Sequence, residues 1–237
     1  MAAPADTYSS DQITEGLQKV PGKGTDLDAI VARPKSGGPF PAVIIIHENM
    51  GIDPNNDTAG PHFENLAGRF ARQGFVAVAP NFYQRGGTVQ ENPSNQVMDD
   101  IGGLIAWLRS QPDVQGKGIG VVGFCWGGGM SIDAAIAHPE LGAAVIFYGR
   151  NPGNLDDVAK IQAPVMGFYG AADERISGGV PALQEAMQKH GKSYQPKIYP
   201  GAQHAFFNER KGDRHDAAAA ADAWEQMLSF FNQNLNK

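Results

Sequence analysis

The run Ile119-Gly120-Val121-Val122-Gly123-Phe124-Cys125-Trp126-Gly127-Gly128-Gly129 passes from β-branched residues into glycines with no polar break. It predicts a buried strand, a sharp turn and the start of a helix. Within it, Gly123-x-Cys125-x-Gly127 has the spacing of a nucleophile elbow, with Cys where Ser is the usual residue. The glycines serve a steric purpose. The turn forces the nucleophile into strained backbone geometry, and its flanks must lack bulk where strand and helix nearly touch. The following helix aims its N-terminus at the sulfur, which favours thiolate over thiol. The Trp126 N–H is then placed to donate to a developing oxyanion. Two blander readings compete. A lone cysteine is more often a small buried hydrophobe, and glycine-rich turns also bind phosphates. A dinucleotide fingerprint, however, needs G-x-G-x-x-G on the first strand of its unit, and here both spacing and position fail.

On either side of this run, short apolar segments alternate with helical patterns. Val43–Ile46, Phe75–Ala79, Ile119–Val122, Ala143–Phe147, Val165–Phe168 and Lys197–Tyr199 read as strands. Residues 62–73, 96–110, 126–137, 180–190 and 216–233 read as helices, with Pro112 and Gly191 as breakers past two ends and Asp213 or Asp216 as the last cap. Weaker alternation over 8–33 predicts an antiparallel pair at the sheet edge. The fold class is α/β, a mostly parallel central sheet with helices on both faces. No linker divides the chain, so residues 1–237 read as one domain, with 1–12 as a flexible arm. Residues 81–95 are the expected loop over the site.

In such sheets, ligands bind at the carboxyl ends of the strands. Asp173 follows the strand 165–168, and His204 follows 197–199. Cys125, Asp173 and His204 thus have the chain order nucleophile, acid, histidine found in α/β-hydrolases. Singly, Asp173 is more often a turn residue and His204 a loop residue; jointly they form a catalytic triad. After the strand 43–46 comes His47-Glu48-Asn49-Met50-Gly51, the loop expected to supply a second oxyanion N–H, assigned to Asn49. Glu48 is unexpected there, because a carboxylate repels a thiolate; the ordinary fate of Glu is a solvated loop. His47, His62, His138, His190 and His215 sit at element ends with no metal-ligand spacing, so no metal and no cofactor are expected.

Composition narrows the class. Hydrophobic residues are 42% and charged residues 19%, an ordinary folded mixture. A net charge of −6 gives no footprint for nucleic acid. The purest apolar run, 42–46, is far too short to span a membrane. A single cysteine excludes an intramolecular disulfide. No signal peptide is recognisable, so the expected location is cytoplasmic; the alternative is an exported chain, since Ala2-Ala3-Pro4-Ala5 has the small residues found near cleavage sites. The expected partner is a small-molecule lactone or ester, and the expected state a monomer or small homo-oligomer.

The chain resembles the dienelactone hydrolase family (carboxymethylenebutenolidases), α/β-hydrolases with a Cys-Asp-His triad. The resemblance runs from about residue 28 to 231. It rests on His47-Glu48-x-x-Gly51, Ala79-Pro80-x-x-Tyr83, Gly123-Phe124-Cys125-x-Gly127-Gly128, Phe147-Tyr148-Gly149, Gly170-x-x-Asp173 and His204-x-Phe206. It implies Cys125 as nucleophile, His204 as base and Asp173 as its orienter. It also implies that Glu48 gates the thiol by holding it protonated at rest, that Arg85 binds a substrate carboxylate, and that Tyr148 and Phe206 line the pocket. One position departs: Asn208 stands where the family has a second carboxylate-binding arginine, with Arg150 or Arg175 as possible substitutes. A charged hydrogen bond lost there is worth roughly 1.5–3 kcal/mol. The reading is a hydrolase acting on a lactone or small ester through a thioester. The rivals are a carboxylesterase or thioesterase for neutral acyl groups, favoured by Asn208, Phe82, Trp126 and Phe207, and a non-enzymatic binder on a hydrolase fold.

Overall fold

Runs such as Ala42-Val43-Ile44-Ile45-Ile46 have no polar face, so they are stable only with helices covering both sides. The computed structural model describes residues 5–52, 60–86 and 94–236 and has that arrangement. In chain order the elements are β1 (Ile13–Val20), β2 (Leu27–Pro34), β3 (Phe40–Ile46), α1 (Gly60–Arg72), β4 (Val76–Pro80), α2 (Ser94–Ser110) and β5 (Val114–Phe124). Then follow α3 (Trp126–Ala137), β6 (Ala143–Phe147), β7 (Val165–Gly170), α4 (Glu174–Ser177), α5 (Val180–Lys189), β8 (Tyr194–Tyr199) and α6 (Ala217–Leu235). The sheet order is β1-β2-β4-β3-β5-β6-β7-β8. β2 runs antiparallel to both β1 and β4, and β4 through β8 are parallel.

The period of two divides the core. Val43 and Ile45 pack with Phe63, Phe70, Trp224 and Phe231 of α1 and α6, while Ile44 and Ile46 pack with residues of α2, α3 and α5. Burying one such side chain fully stabilises by about 1.5–3 kcal/mol. Asp216 caps α6, its carboxylate accepting from the Ala218 and Ala219 N–H groups. Gly191 follows α5 at φ +65°, the left-handed stop a glycine allows.

Several expectations need adjustment. The pair expected over 8–33 is β1 and β2, in register from Ile13↔Pro34 to Val20↔Leu27. β5 starts at Val114, earlier than read, because Gln115, Gly116 and Lys117 break the apolar run. Within the expected arm, the Thr7 and Tyr8 N–H groups donate to the Arg72 carbonyl, and Tyr8 packs edge-on to Phe40. Of the expected loop 81–95, Ser94 and Asn95 open α2, and residues 87–93 lie outside the described residues. No described helix is long and apolar enough to cross a membrane.

Candidate active site

The elbow is built at the end of β5. Cys125 has φ +57° and ψ −113°, and its N–H donates to the Phe147 carbonyl of β6 at 3.0 Å. A Cβ on Gly123 would collide with the Gly127 carbonyl, and one on Gly127 with the Ile46 and His47 carbonyls. Side chains at either position would push α3 off the sheet. The half-buried Cys125 side chain therefore sits at the N-terminus of α3, where aligned peptide dipoles favour an anion.

Two more strand ends meet it. Asp173 lies just past β7, nearly buried, and its Oδ2 accepts from His204 Nδ1–H at 2.5 Å. That bond leaves Nε2 to face the sulfur. Burial opposes protonation of His204, but the Cys125 sulfur and the Asp173 carboxylate outweigh it and raise its pKa. Gly170 is required because a Cβ there would strike the Ala202 carbonyl of the histidine loop. Among the described residues, three non-glycines have positive φ: Cys125, Tyr148 at +40° and Ala205 at +66°. Tyr148 packs its ring 5.1 Å from that of His204, and Ala205 follows His204. Among the described residues, strain of this kind is gathered at one place, as in sites where geometry serves chemistry.

Unsatisfied polar atoms gather there too. Glu48 is 2% exposed, and its Oε2 accepts from Lys211 Nζ at 3.1 Å and Asn208 Nδ2 at 3.4 Å. Its Oε1 and the Tyr83 hydroxyl are buried without hydrogen-bond partners, and the Tyr148 hydroxyl lies beside the Glu48 carboxylate without a well-formed hydrogen bond. Burial raises both phenol pKa values; the Cys125 charge adds to each, and that of Glu48 to Tyr148. Buried orphans of this kind are rare in folded proteins and call for a ligand or a function. His47 is wholly satisfied by contrast. Its Nδ1–H donates to the Glu48 carbonyl at 2.7 Å, its Nε2 accepts from the Phe82 N–H at 3.1 Å, and its ring stacks on Trp126. Burial pushes it down to about 4, so it is a neutral brace that fixes the Glu48 loop against the Tyr83 loop.

Other expected site residues divide. Asn208 is fully buried at the site, where its Oδ1 accepts from the Arg210 N–H and caps the 3₁₀ turn that carries Lys211. Trp126 is the first residue of α3, and Asn49 lies exposed in the turn after β3. Glu48, expected to gate the thiol, accepts from Lys211 and Asn208. Arg85, expected at the substrate, is engaged elsewhere in this geometry. Both of its terminal nitrogens bind the fully buried Asp100 at 2.8 Å, and one also donates to the Lys23 carbonyl. Arg150 is held by Asp133 at 2.7 Å. Phe206 is fully buried behind Tyr148, so it braces the site from the core. Arg175 is exposed on α4. Lys211, Tyr83 and His47 belong to the site and were not assigned from sequence. Tyr83 and His47 did stand in quoted motifs; Lys211 had only its place in the loop after His204 as a signal. Among the described residues, no group of three His, Cys, Asp or Glu side chains could hold a metal.

A mostly parallel sheet with an elbow after β5, an acid after β7 and a histidine after β8 defines an α/β-hydrolase. The match is specific. The model of the dienelactone hydrolase family covers residues 27–235, and the chain belongs to that family of hydrolases. It is 31% identical over 249 aligned residues to the "Putative carboxymethylenebutenolidase" of Escherichia coli K12, covering 94% of this chain and 88% of that one. "Protein usf" of Aquifex pyrophilus is 32% identical over 228 residues, covering 90% and 95% of the two chains. The crystal structure of a "Putative Dienelactone Hydrolase" from Klebsiella pneumoniae superposes with a TM-score of 0.84 at 30% identity, covering 93% of this chain and 99% of that one.

Proposed function

We propose that this protein hydrolyses a small carboxylic ester or lactone through a thioester on Cys125. The observation that carries the reading is the relay of contacts from Asp173 Oδ2 to His204 and from His204 to the sulfur of Cys125, which stands at the positive-φ elbow. Asp173 holds the imidazole with Nδ1–H bound, so Nε2 is the basic nitrogen. His204 takes the thiol proton, and the thiolate attacks the carbonyl carbon. The oxyanion is received by the N–H groups of Trp126 and Asn49, each such donor being worth roughly 10²–10³ in rate. His204 then returns its proton to the leaving alkoxide. In the second half, His204 deprotonates a water, which attacks the thioester and releases the acid and Cys125. Tyr83 and Tyr148 are neutral donors for further oxygen atoms of the substrate. Because Cys125 is the chain's single cysteine, one reagent addresses it alone. Iodoacetamide is expected to abolish ester hydrolysis in proportion to the fraction of thiol modified, with substrate slowing the loss. Full hydrolytic activity after complete alkylation would rule the nucleophile out.

A further inference from the structure

We infer that Glu48 and Lys211 form an internally neutralised pair that makes this site select an uncharged acyl group; the inference rests on the ester-hydrolase reading above. Among the described residues, the cations and amide at the positions expected to hold a substrate carboxylate are already engaged. Arg85 is forked onto Asp100, Arg150 is bound to Asp133, and Asn208 contributes an amide. Lys211 does reach the site, since its side chain is only 18% exposed, but it arrives bound to Glu48. The exposed Arg175 stands in water, where a lone cation discriminates little. The two internal segments outside the described residues, 53–59 and 87–93, contain Asp53, Asp57 and Glu91 and no Lys or Arg.

An anionic substrate would meet a further obstacle. To reach Lys211 Nζ it must displace Glu48, whose carboxylate would keep only neutral neighbours, the Asn208 amide and the Tyr148 hydroxyl, in a buried setting. A buried carboxylate stripped of its cation is strongly disfavoured. An uncharged acyl group avoids this exchange. It meets the aromatic faces of Tyr83 and Trp126, whose rings lie 5.0 Å apart, and the Tyr83 and Tyr148 hydroxyls, which suit neutral ester or ring oxygens. The capped 3₁₀ turn explains how the pair is held. Asn208 binds the Arg210 N–H with one end of its amide and Glu48 with the other, so the turn bearing Lys211 and the carboxylate it neutralises are fixed by one side chain.

The test compares kcat/KM for p-nitrophenyl hexanoate and the mono-p-nitrophenyl ester of adipate, which differ in a terminal methyl against a carboxylate. Both are measured on wild type, E48Q, K211M and the double variant. Taking the ratio within each enzyme cancels any loss of folded protein or of general catalytic power. Wild type is expected to prefer hexanoate by at least thirtyfold. E48Q liberates Lys211 and is expected to shift the ratio toward adipate at least tenfold; adding K211M is expected to cancel that gain. A wild-type preference for adipate, or a ratio unmoved by E48Q, would overturn the proposal. Failure of both esters to acylate Cys125 would instead remove the hydrolase reading beneath it.

Discussion

Asp100 and Glu48 are both acids buried almost to completion, and each has one cation, but their surroundings differ. Asp100 is saturated: Arg85 forks onto both of its oxygens, and the Lys23 N–H adds a third bond at 2.5 Å. It ties the segment before β2 and the segment after β4 to α2. Glu48 is satisfied on one oxygen and bare on the other, beside two phenol hydroxyls that lack well-formed hydrogen bonds. A saturated buried ion pair serves the architecture, and a half-satisfied one marks the place where a ligand completes the hydrogen bonds. The family resemblance alone would have assigned Arg85 to substrate. The structure instead pairs it with Asp100.

This contrast can be broken at its functional end first. Cys125→Ala is expected to lower ester turnover by at least about 10⁴-fold with unchanged circular dichroism. Substantial residual turnover would move the chemistry away from the elbow. At the architectural end, Asp100→Ala leaves Arg85 without its counter-ion in a largely buried position. It is expected to cost about 3 kcal/mol in urea unfolding. Glu48→Gln should change stability by less than about 1 kcal/mol, because the freed Lys211 ammonium remains at the pocket, where water solvates it until a substrate binds. Equal costs for the two substitutions would erase the distinction drawn between them.

Acid sharpens the comparison from the side of the braces. Burial pushes His47 down to about 4; burial, then the positive charge of Arg69, pushes His62 down to about 3. Their folded pKa values lie below the unfolded value near 6.5, so the unfolded chain takes up the protons first. The stability these two neutral rings retain at pH 7 is therefore lost as pH falls below about 6.5. The slope approaches about 1.4 kcal/mol per pH unit for each histidine near pH 5. Urea titrations between pH 7 and pH 5 should show it, and His62→Phe, within its cage of Phe63, Phe124 and Phe207, should halve it. A slope unchanged in that variant would assign the acid sensitivity elsewhere.

Much of this was legible in the chain, and for identifiable reasons. The elbow could be read because steric need is written in glycines: Gly123, Gly127 and Gly170 each face a main-chain carbonyl that excludes a Cβ. The triad could be read because strand ends are local features and the chain order is informative. The short helix α4 escaped, since four residues carry no period. The charge pairing escaped for a deeper reason. Asp100 and Arg85 meet only when α2 is packed on the sheet. Lys211 meets Glu48 from a distant part of the sequence, through a turn whose reversal depends on Gly212 at φ +56°. Sequence spacing carries no record of such tertiary partners, so the ion pairs of Arg85 and Arg150 are not legible in it.

The central claim is that acyl transfer passes through the Cys125 sulfur. It is tested most directly by mixing the enzyme with p-nitrophenyl hexanoate, quenching in acid within the first turnover, and weighing the peptide that contains Cys125. A mass increase equal to one hexanoyl group, removed by hydroxylamine and absent from Cys125→Ala, is the predicted result. Turnover with the Cys125 peptide unmodified, or the acyl group on another side chain, would contradict it.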